Sequence, residues 1–502
     1  MNILLITSDQ QRWDGLGKEM SVLKTPNLDK LADRGILFNK AYTPSPVCTP
    51  ARVSILTGQY PSRHGCYTIG TSLPEDYPTC AEAMSSAGVF TALLGKAHFQ
   101  PCTTDPTDYL ESFEAPPHIF DFDFFREWSG PYYGFELAKL SIAHSCEKYA
   151  GSMHYGQWLK DEMGVELEDY FGNNAYTDFG PWSLPEELHN SRWTADETIE
   201  ALEQAREDER PFFIWSSFQD PHNPCVTPEP WASMYRPEDM PDYYLREGEL
   251  DDKPEFYRAL QECRPTGDPD IDMDETGKNW YCVRGIEEMT EEKVKELTAV
   301  YFGMISLMDH HIGRILNRLE DLGLADNTIV IFTTDHGDYL GNHGFWWKGF
   351  PAYDDAQRIP FIVAHPECRT PGRRSDAPQN LVDIFPSAMR ACGMDIPPLI
   401  QGIDQGEAWK DTSTCLRDWT MVEYRPTEGS FMQKTFVKGD MKLVVYHDRP
   451  YGELYDMAND PEQLENLWEK PEMRECRENL LRDMISAEME KDGQLRTRLT
   501  WA

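Results

Sequence analysis

Four short apolar runs stand out along the chain, and each of them ends in a cluster of polar residues. The runs are NILLIT, VFTALL, PFFIWSSF and TIVIFTT. Their apolar residues are nearly continuous rather than alternating with polar ones, which is typical of strands that are covered on both faces of a sheet. The pattern therefore predicts four buried strands.

Helical periodicity fills the chain between these runs. It predicts helices over residues 25–34, 52–56, 194–207 and 290–322. An alternation of strands and helices is typical of a parallel α/β sheet, in which ligands bind beyond the carboxyl ends of the strands. Because all four polar clusters fall at that position, we expect a site there.

Two regions depart from this alternation. Residues 103–191 are rich in aromatic residues and weakly periodic, which indicates an insertion or a lid above the sheet. After about residue 426 the chain alternates like antiparallel hairpin strands, and a helix follows. We predict a catalytic domain over 1–425, with the insertion inside it, and a small α+β subdomain over 426–502.

The composition limits the partners of the chain. Its 502 residues include 47 basic and 86 acidic side chains, for a net charge of −39, which disfavours nucleic acid and anionic lipid as partners. No run is long enough to cross a bilayer, and the first residues lack the basic segment and cleavage site of a signal peptide. We expect a cytoplasmic protein without a membrane partner. An anionic substrate would then need local positive charge in its site.

One cysteine is a candidate for chemistry. The twelve cysteines are scattered without a CxxC pair, and in a reducing compartment most are expected to be small buried hydrophobes. Cys48 differs, because Pro50 suits the first turn of a helix and backbone N–H groups at a helix start favour negative charge. Arg52 follows one turn later on the same face. The spacing fits a reactive group beside a fixed cation, and it also fits a buried cysteine near an exposed arginine.

Two carboxylates and an imidazole follow the first and fourth runs. Asp9, Asp335 and His336 could bind one hard divalent ion, with Gln10 adding an amide oxygen. Oxygen ligands favour Ca²⁺ or Mg²⁺, whereas the histidine favours Mn²⁺. The alternative is a set of helix caps and an ordinary core histidine. Asp338 is expected to cap or orient its neighbours rather than to bind metal.

Four cationic or proton-carrying residues complete the candidate set: Lys96, His98, His222 and Lys348. Each of them alone could be structural or merely solvated. Together they supply the local positive charge that a chain at −39 otherwise lacks, and they include titratable acids and bases. A divalent ion, several cations, two histidines and an unusual cysteine suit the hydrolysis of an anionic ester.

The segment CTPARVSILTG resembles the signature of the sulfatases of the alkaline phosphatase superfamily, in which the first residue of Cys-x-Pro-x-Arg is oxidised to formylglycine. The segments NILLITSDQ, LLGKAHF, DPHNP and TTDHGDYLGNHGFWWKG match that family in its order, and KLVVYHDRPYGELYDM resembles its C-terminal hairpin domain. The resemblance implies a large, mixed, mostly parallel sheet flanked by helices, with a small C-terminal domain on an antiparallel sheet. It also implies a formylglycine-generating maturation enzyme as a partner.

The resemblance also implies a role for each candidate residue. The implied ligands of one divalent ion, with Ca²⁺ expected and Mn²⁺ or Mg²⁺ as alternatives, are Asp9, Gln10, Cys48, Asp335 and His336. As formylglycine hydrate, Cys48 would also be the nucleophile, stabilised by Arg52 and Lys96. His98 would take a proton when the covalent intermediate collapses. His222 and Lys348 would hold the sulfate, and one of them would protonate the leaving oxygen.

Two ligands depart from the pattern of many sulfatases, which have Asp where Gln10 stands and Asn where His336 stands. Both residues are closer to choline-sulfatase-like members and to phosphonate monoester hydrolases. Phosphonate monoesters and phosphodiesters therefore remain alternative substrates, although Lys96 and His98 match the Gly-Lys-x-His pattern of sulfatases. The leading hypothesis is hydrolysis of a sulfate monoester, either a small sulfated carbohydrate or an aryl sulfate. An inactive protein that binds sulfated ligands is a third hypothesis.

Aromatic side chains of the insertion are candidates for contact with the organic part of a substrate. They are Phe124, Trp128, Tyr132 and Trp182, which could stack on a sugar or an aryl group. Alternatively, they pack the insertion against the sheet.

Overall fold

The strands of the chain form one large sheet and several small ones. The computed structural model describes residues 1–102, 112–172, 179–271, 283–285, 290–427, 429 and 431–492. Numbered along the chain, the strands are β1 (Asn2–Ser8), β2 (Ile36–Phe38), β3 (Ala41–Tyr42), β4 (Phe90–Lys96), β5 (Leu137–Ser141), β6 (Phe179–Pro181), β7 (Phe212–Ser217), β8 (Cys225–Thr227), β9 (Val283–Gly285), β10 (Thr328–Thr334), β11 (Phe345–Trp347), β12 (Phe361–Ala364), β13 (Arg373–Ser375), β14 (Gln379–Asn380), β15 (Trp419–Tyr424), β16 (Gln433–Lys438), β17 (Met441–Tyr446) and β18 (Gly452–Asp456).

Helices separate most of these strands. They are α1 (Pro26–Arg34), α2 (Cys48–Thr57), α3 (Pro61–His64), α4 (Cys80–Ser86), α5 (Phe122–Glu127), α6 (Met153–Asp161), α7 (Asn190–Glu207), α8 (Glu255–Gln261), α9 (Glu291–Asp321), α10 (Asp354–Gln357), α11 (Ile384–Ala391) and α12 (Arg474–Glu490). Within the described part of the chain, no helix is long and apolar enough to cross a membrane. The four predicted helices correspond to α1, α2, α7 and α9, and α2 begins at Cys48, one turn before the predicted start.

The large sheet has eight strands in the order β13-β2-β12-β10-β1-β7-β4-β5. Strand β1 pairs in parallel with β10 and β7, and β4 pairs in parallel with β7 and β5. Strand β12 is antiparallel to both of its neighbours. The sheet is therefore mixed and mostly parallel, as expected, and the four predicted strands are its adjacent members β10, β1, β7 and β4.

Both faces of the sheet are covered, which explains the continuous apolar runs. Along β1, Ile3 and Leu5 pack into a core with α2, α4 and α11, whereas Leu4 and Ile6 pack into a second core with α1, α7 and α9. Successive side chains of a strand point to opposite faces, so burial on both faces requires an apolar residue at every position.

The predicted insertion also contributes to the sheet. Its strand β5 pairs with β4 at the sheet edge, so this part of the insertion extends the sheet and does not lie above it as a lid. The aromatic candidates pack into cores: the rings of Phe124 and Trp128 lie 5.4 Å apart, and those of Phe171 and Trp182 lie 5.5 Å apart. Residues 103–111 and 173–178 of the insertion lie outside the described residues.

The C-terminal region contains a four-stranded antiparallel sheet in the order β15-β16-β17-β18, as expected. Helix α12 packs against it through Leu480 and Met484. The sheet begins at Trp419, before the predicted boundary at residue 426. Strand β15 is buried at all six positions and shows no alternation, which is why its pattern did not indicate a hairpin strand.

A buried ion pair connects this small sheet to the rest of the chain. Lys442 on β17 lies 2.8 Å from Asp354 at the start of α10, through Nζ and Oδ1, and also donates to Gln463 Oε1 at 2.7 Å. Tyr42 donates to the second carboxylate oxygen of Asp354 at 2.9 Å. The side chain of Lys442 is fully buried. Removing one member of such a pair leaves the other charge without compensation.

We expect Lys442→Ala to lower the free energy of unfolding by about 3–5 kcal/mol, because Asp354 would remain charged and buried. The double variant Lys442→Met/Asp354→Asn should recover part of that loss. The measurement is urea denaturation followed by fluorescence. Arg474→Ala, in the exposed pair of Arg474 with Glu478, is the control and should leave the midpoint unchanged. A midpoint for Lys442→Ala equal to that of Arg474→Ala would contradict this account of the interface.

Candidate active site

The predicted site residues meet at the carboxyl edge of the central strands. Ser8 at the end of β1 is level with Thr334 at the end of β10, and Thr7 is level with Ser217 at the end of β7. The residues that follow these ends must therefore lie close together. The structure gathers all ten predicted residues in this region: Asp9, Gln10, Cys48, Arg52, Lys96, His98, His222, Asp335, His336 and Lys348.

Cys48 lies at the centre of this group. Its side chain is buried, at 1% exposure, and its Sγ lies 2.9 Å from Lys348 Nζ and 3.1 Å from His336 Nε2. Burial raises the pKa of the Cys48 thiol, and so does Asp9. The positive side chains of Lys348 and Lys96 outweigh both effects and hold that pKa well below its usual value. This environment is that of a reactive group rather than of a core hydrophobe.

Arg52 holds the two carboxylates together. It is fully buried, and its Nε donates to Asp335 Oδ2 at 2.8 Å while its Nη2 donates to Asp9 Oδ2 at 3.3 Å. Its Nη1 donates to Ser217 Oγ at 2.8 Å and to the carbonyl of Lys96 at 3.0 Å. The guanidinium is thus hydrogen-bonded to the carboxylates and their surroundings, and its charge also interacts with Cys48.

Four ligand atoms converge beside Cys48. The candidate ligand atoms of Asp9, Cys48, Asp335 and His336 lie within 4.8 Å of one another. His336 Nδ1 faces the carbonyl of Gly337 at 3.0 Å and must donate there, so the neutral ring presents the lone pair of Nε2 to the cluster. A histidine whose second nitrogen donates to a carbonyl is the usual arrangement of a metal ligand.

Gln10 lies beside this cluster, where its backbone N–H donates to Asp335 Oδ1 at 3.1 Å. Its backbone is left-handed, with φ of 63°. Its amide nitrogen donates to Asn223 Oδ1 at 3.0 Å and to Asp338 Oδ2 at 2.5 Å. Its amide oxygen Oε1 is buried without a hydrogen-bond partner among the described residues. Two carboxylates, an amide oxygen and an imidazole fit one hard divalent ion, so the residues present suit the implied metal.

Asp338 orients this shell, as expected. Besides the Gln10 amide, it accepts the backbone N–H of Leu340 at 2.8 Å. Burial raises the pKa of its carboxyl to about 6. Its side chain therefore orients the Gln10 amide and, in the described part of the chain, makes no hydrogen bond to Asp9, Cys48, Asp335 or His336.

Two lysines face the cluster, and each of them contacts a histidine. Lys96 Nζ contacts Asp9 Oδ2 and lies 2.7 Å from His144 Nε2. Lys348 Nζ lies 2.7 Å from His222 Nε2. Burial alone would raise the pKa of the Asp9 carboxyl, but Lys96 and Arg52 hold it well below its usual range. The site therefore has strong local positive charge in a strongly negative chain.

His98 is the remaining predicted base. It is buried, its φ is 59°, and its Nε2 lies 3.4 Å from Cys102 Sγ. Its Nδ1 finds no hydrogen-bond partner in the described part of the chain. Burial and Lys96 lower the pKa of His98 to about 4, against the opposing effect of Cys48. The ring is therefore neutral at neutral pH and can accept a proton.

His144 was missed by the sequence analysis. It follows strand β5, and its ring stacks on that of His222 with centroids 3.4 Å apart and planes 4° apart. Like the other candidates, His144 is a polar residue just beyond the end of a strand. The run LAKLS is too short and too mixed in polarity to be recognised as a strand, so that signal was lost.

The comparisons with known proteins agree with this geometry. The family model described as Sulfatase matches residues 1–394, and one described as N-sulphoglucosamine sulphohydrolase, C-terminal, matches residues 341–490. The chain is 30% identical to an arylsulfatase of Clostridium perfringens, over 97% of this chain and 94% of that protein. It is 26% identical to the choline-sulfatase of Rhizobium meliloti, over 94% of this chain and 81% of that protein.

Solved structures show the same fold. The phosphonate monoester hydrolase of Agrobacterium radiobacter superposes with a TM-score of 0.78 at 24% identity, over 99% of both chains. The Sulfatase match covers well over half of the chain and includes the whole buried cluster. The chain therefore belongs to the sulfatase family of the alkaline phosphatase superfamily and is a sulfuric ester hydrolase.

Proposed function

We propose that this enzyme hydrolyses a small sulfate monoester through a formylglycine hydrate at position 48, beside one divalent ion. The observation that carries the proposal is the environment of Cys48, which is buried at the start of α2 and yet lies within 3.1 Å of both Lys348 and His336. In this interpretation the Sγ atom stands in for a hydroxyl oxygen of the hydrated aldehyde.

The modification would precede folding. Cys48, Pro50 and Arg52 are all buried in the folded chain. A separate formylglycine-generating enzyme could not reach this segment once α2 is packed. We therefore expect the maturation enzyme to act on the unfolded chain, and Arg52 to take its place between the carboxylates afterwards.

One divalent ion would be held by Asp9, Gln10, Asp335 and His336, together with residue 48. Oxygen donors predominate in this set, and we propose Ca²⁺, with Mn²⁺ or Mg²⁺ as alternatives. When bound, such an ion lowers the pKa of a coordinated hydroxyl and offsets negative charge on sulfuryl oxygens. Because Gln10 is neutral, this set of ligands carries less negative charge than a set with a carboxylate at position 10.

Lys348 and His222 would act on the leaving group as a pair. His222 Nδ1 lies 2.6 Å from the carbonyl of Asn223, to which it must donate, so its Nε2 accepts from Lys348. Burial, His144 and Lys348 hold the pKa of His222 well below its usual value. The transferable proton of the pair therefore lies on Lys348, and we propose Lys348 as the donor to the leaving oxygen.

His98 would serve the release of sulfate. A hydrate offers a second hydroxyl, and its deprotonation expels sulfate as the carbonyl re-forms. His98 is neutral, its Nδ1 has no partner among the described residues, and its pKa responds to Cys48. It is therefore a suitable acceptor for that proton.

The substrate we propose is a small sulfated carbohydrate or an aryl sulfate. We also propose a cytoplasmic location, which favours small imported esters over polymers. Phosphonate monoesters and phosphodiesters are the second candidate, because Gln10 and His336 both stand in the ligand cluster.

We expect Cys48→Ala to lower kcat/KM by about 10³-fold or more, because the nucleophile is lost. Cys48→Ser should release about one equivalent of alcohol per site and then stop, because a serine sulfate has no second hydroxyl to expel sulfate. Cys66→Ala, at another buried cysteine, is the control and should remain active.

Mass spectrometry of the Cys48 peptide from native enzyme should show the aldehyde. An unmodified thiol in fully active enzyme would overturn the mechanism.

Kinetics with matched esters would separate the two substrate classes. We expect kcat/KM for an aryl sulfate to exceed that for the corresponding phosphonate monoester and phosphodiester by about tenfold or more, which is about 1.4 kcal/mol in the transition state. The reason is that Lys96 and His98 retain the sulfatase pattern. Higher kcat/KM for the phosphonate monoester would reverse the order of the candidates.

A further inference from the structure

His144 lies on a strained turn that brings it into the site. It follows β5, and its neighbours Ala143 and Ser145 have φ values of 61° and 44°. Left-handed backbone is unfavourable for residues other than glycine and persists only where the surrounding structure holds it. Ser145 Oγ donates to the carbonyl of Pro224 at 2.9 Å, which ties this turn to the loop that carries His222.

Glu147 fixes the orientation of the His144 ring. One carboxylate oxygen, Oε2, accepts the backbone N–H of His144 at 2.9 Å and lies 3.1 Å from its Nδ1. A carboxylate can only accept, so Nδ1 carries the hydrogen. The lone pair of the neutral ring is then on Nε2, which points at Lys96 Nζ 2.7 Å away. Lys96 therefore has two fixed acceptors, Asp9 and His144.

His222, on which the His144 ring stacks, is hydrogen-bonded in the same way. Each ring donates through Nδ1, one to Glu147 and the other to the carbonyl of Asn223. Each ring accepts through Nε2 from a lysine, at 2.7 Å in both cases. Asp9, His144 and His222 could in principle hold a metal ion. Since both Nε2 lone pairs are already taken by ammonium groups, the arrangement suits the orientation of two lysines better.

We propose that His144, held by Glu147, is a positioning residue that fixes the Lys96 ammonium group and the His222 ring, and thereby sets the geometry of the two lysines around residue 48. The proposal rests on the proposed function, because it depends on Lys96 and Lys348 acting at that residue. The insertion then contributes this side chain to the edge of the sheet.

Three substitutions separate the two hydrogen bonds of His144. His144→Gln places an amide oxygen near the position of Nε2 and can still accept from Lys96. His144→Asn places an amide nitrogen near the position of Nδ1 and keeps only the bond to Glu147. His144→Ala removes both bonds. We expect Ala and Asn to lower kcat/KM by about 10- to 100-fold, the range found when outer groups that orient an active centre are lost.

This loss should fall mainly on kcat, because a misplaced Lys96 fails where charge develops in the transition state. His144→Gln should keep kcat within a few-fold of the native enzyme. The assay is steady-state kinetics with an aryl sulfate on full-length, matured protein. The control is His154→Gln, at a buried histidine of the same insertion whose bonds are to the backbone of Leu140 and Trp128. It should lower Tm without lowering kcat.

Two results would overturn the proposal. One is kcat/KM of His144→Ala within twofold of the native enzyme. The other is an equal loss in the Gln, Asn and Ala variants, which would indicate packing alone. Mass spectrometry of residue 48 in each preparation keeps this test separate from the proposed function: unmodified Cys48 in active enzyme would refute the formylglycine mechanism, while the comparison of Gln with Asn would still decide the role of His144.

Discussion

The buried guanidinium of Arg52 makes the rest of the site possible. Asp9 and Asp335 follow adjacent parallel strands, and at that distance two buried carboxylates would repel each other strongly. Arg52 binds one oxygen of each, at 3.3 and 2.8 Å. Because Arg52 and Cys48 lie one turn apart on α2, the helix that presents the proposed nucleophile also supplies the charge that keeps its carboxylate neighbours together.

Two buried lysines, Lys96 and Lys348, supply positive charge inside the site of a strongly negative chain. A protein with a net charge of −39 repels anions at long range. Lys96 and Lys348 are buried and fixed by histidines and by Asp9 or Cys48, so their charge acts at short range where solvent does not screen it. The site can therefore attract a sulfate group that has reached it, while polyanions are not favoured by the outer surface.

The sequence predicted those strands whose residues are apolar for a single physical reason. The strands β1, β4, β7 and β10 are buried on both faces, so their apolar runs are unbroken, and the polar residues beyond them had to meet. The ten predicted residues lie together for that reason. The sequence did not predict β5, which is short and mixed in polarity, or β15, whose burial does not alternate. With β5 unrecognised, the left-handed turn that carries His144 could not be placed, and the segment was interpreted as an insertion or a lid above the sheet.

The central claim is that side chains from two separate parts of the sequence, residues 9–10 and 335–336, surround one cation beside residue 48. Difference electron density from crystals of the matured enzyme tests it most directly. The expected result is a single strong peak about 2.0–2.6 Å from oxygen or nitrogen atoms of Asp9, Gln10, Asp335 and His336, adjacent to residue 48. A peak bound instead by His144 and His222, or fully active crystals with no peak in the cluster, would contradict it.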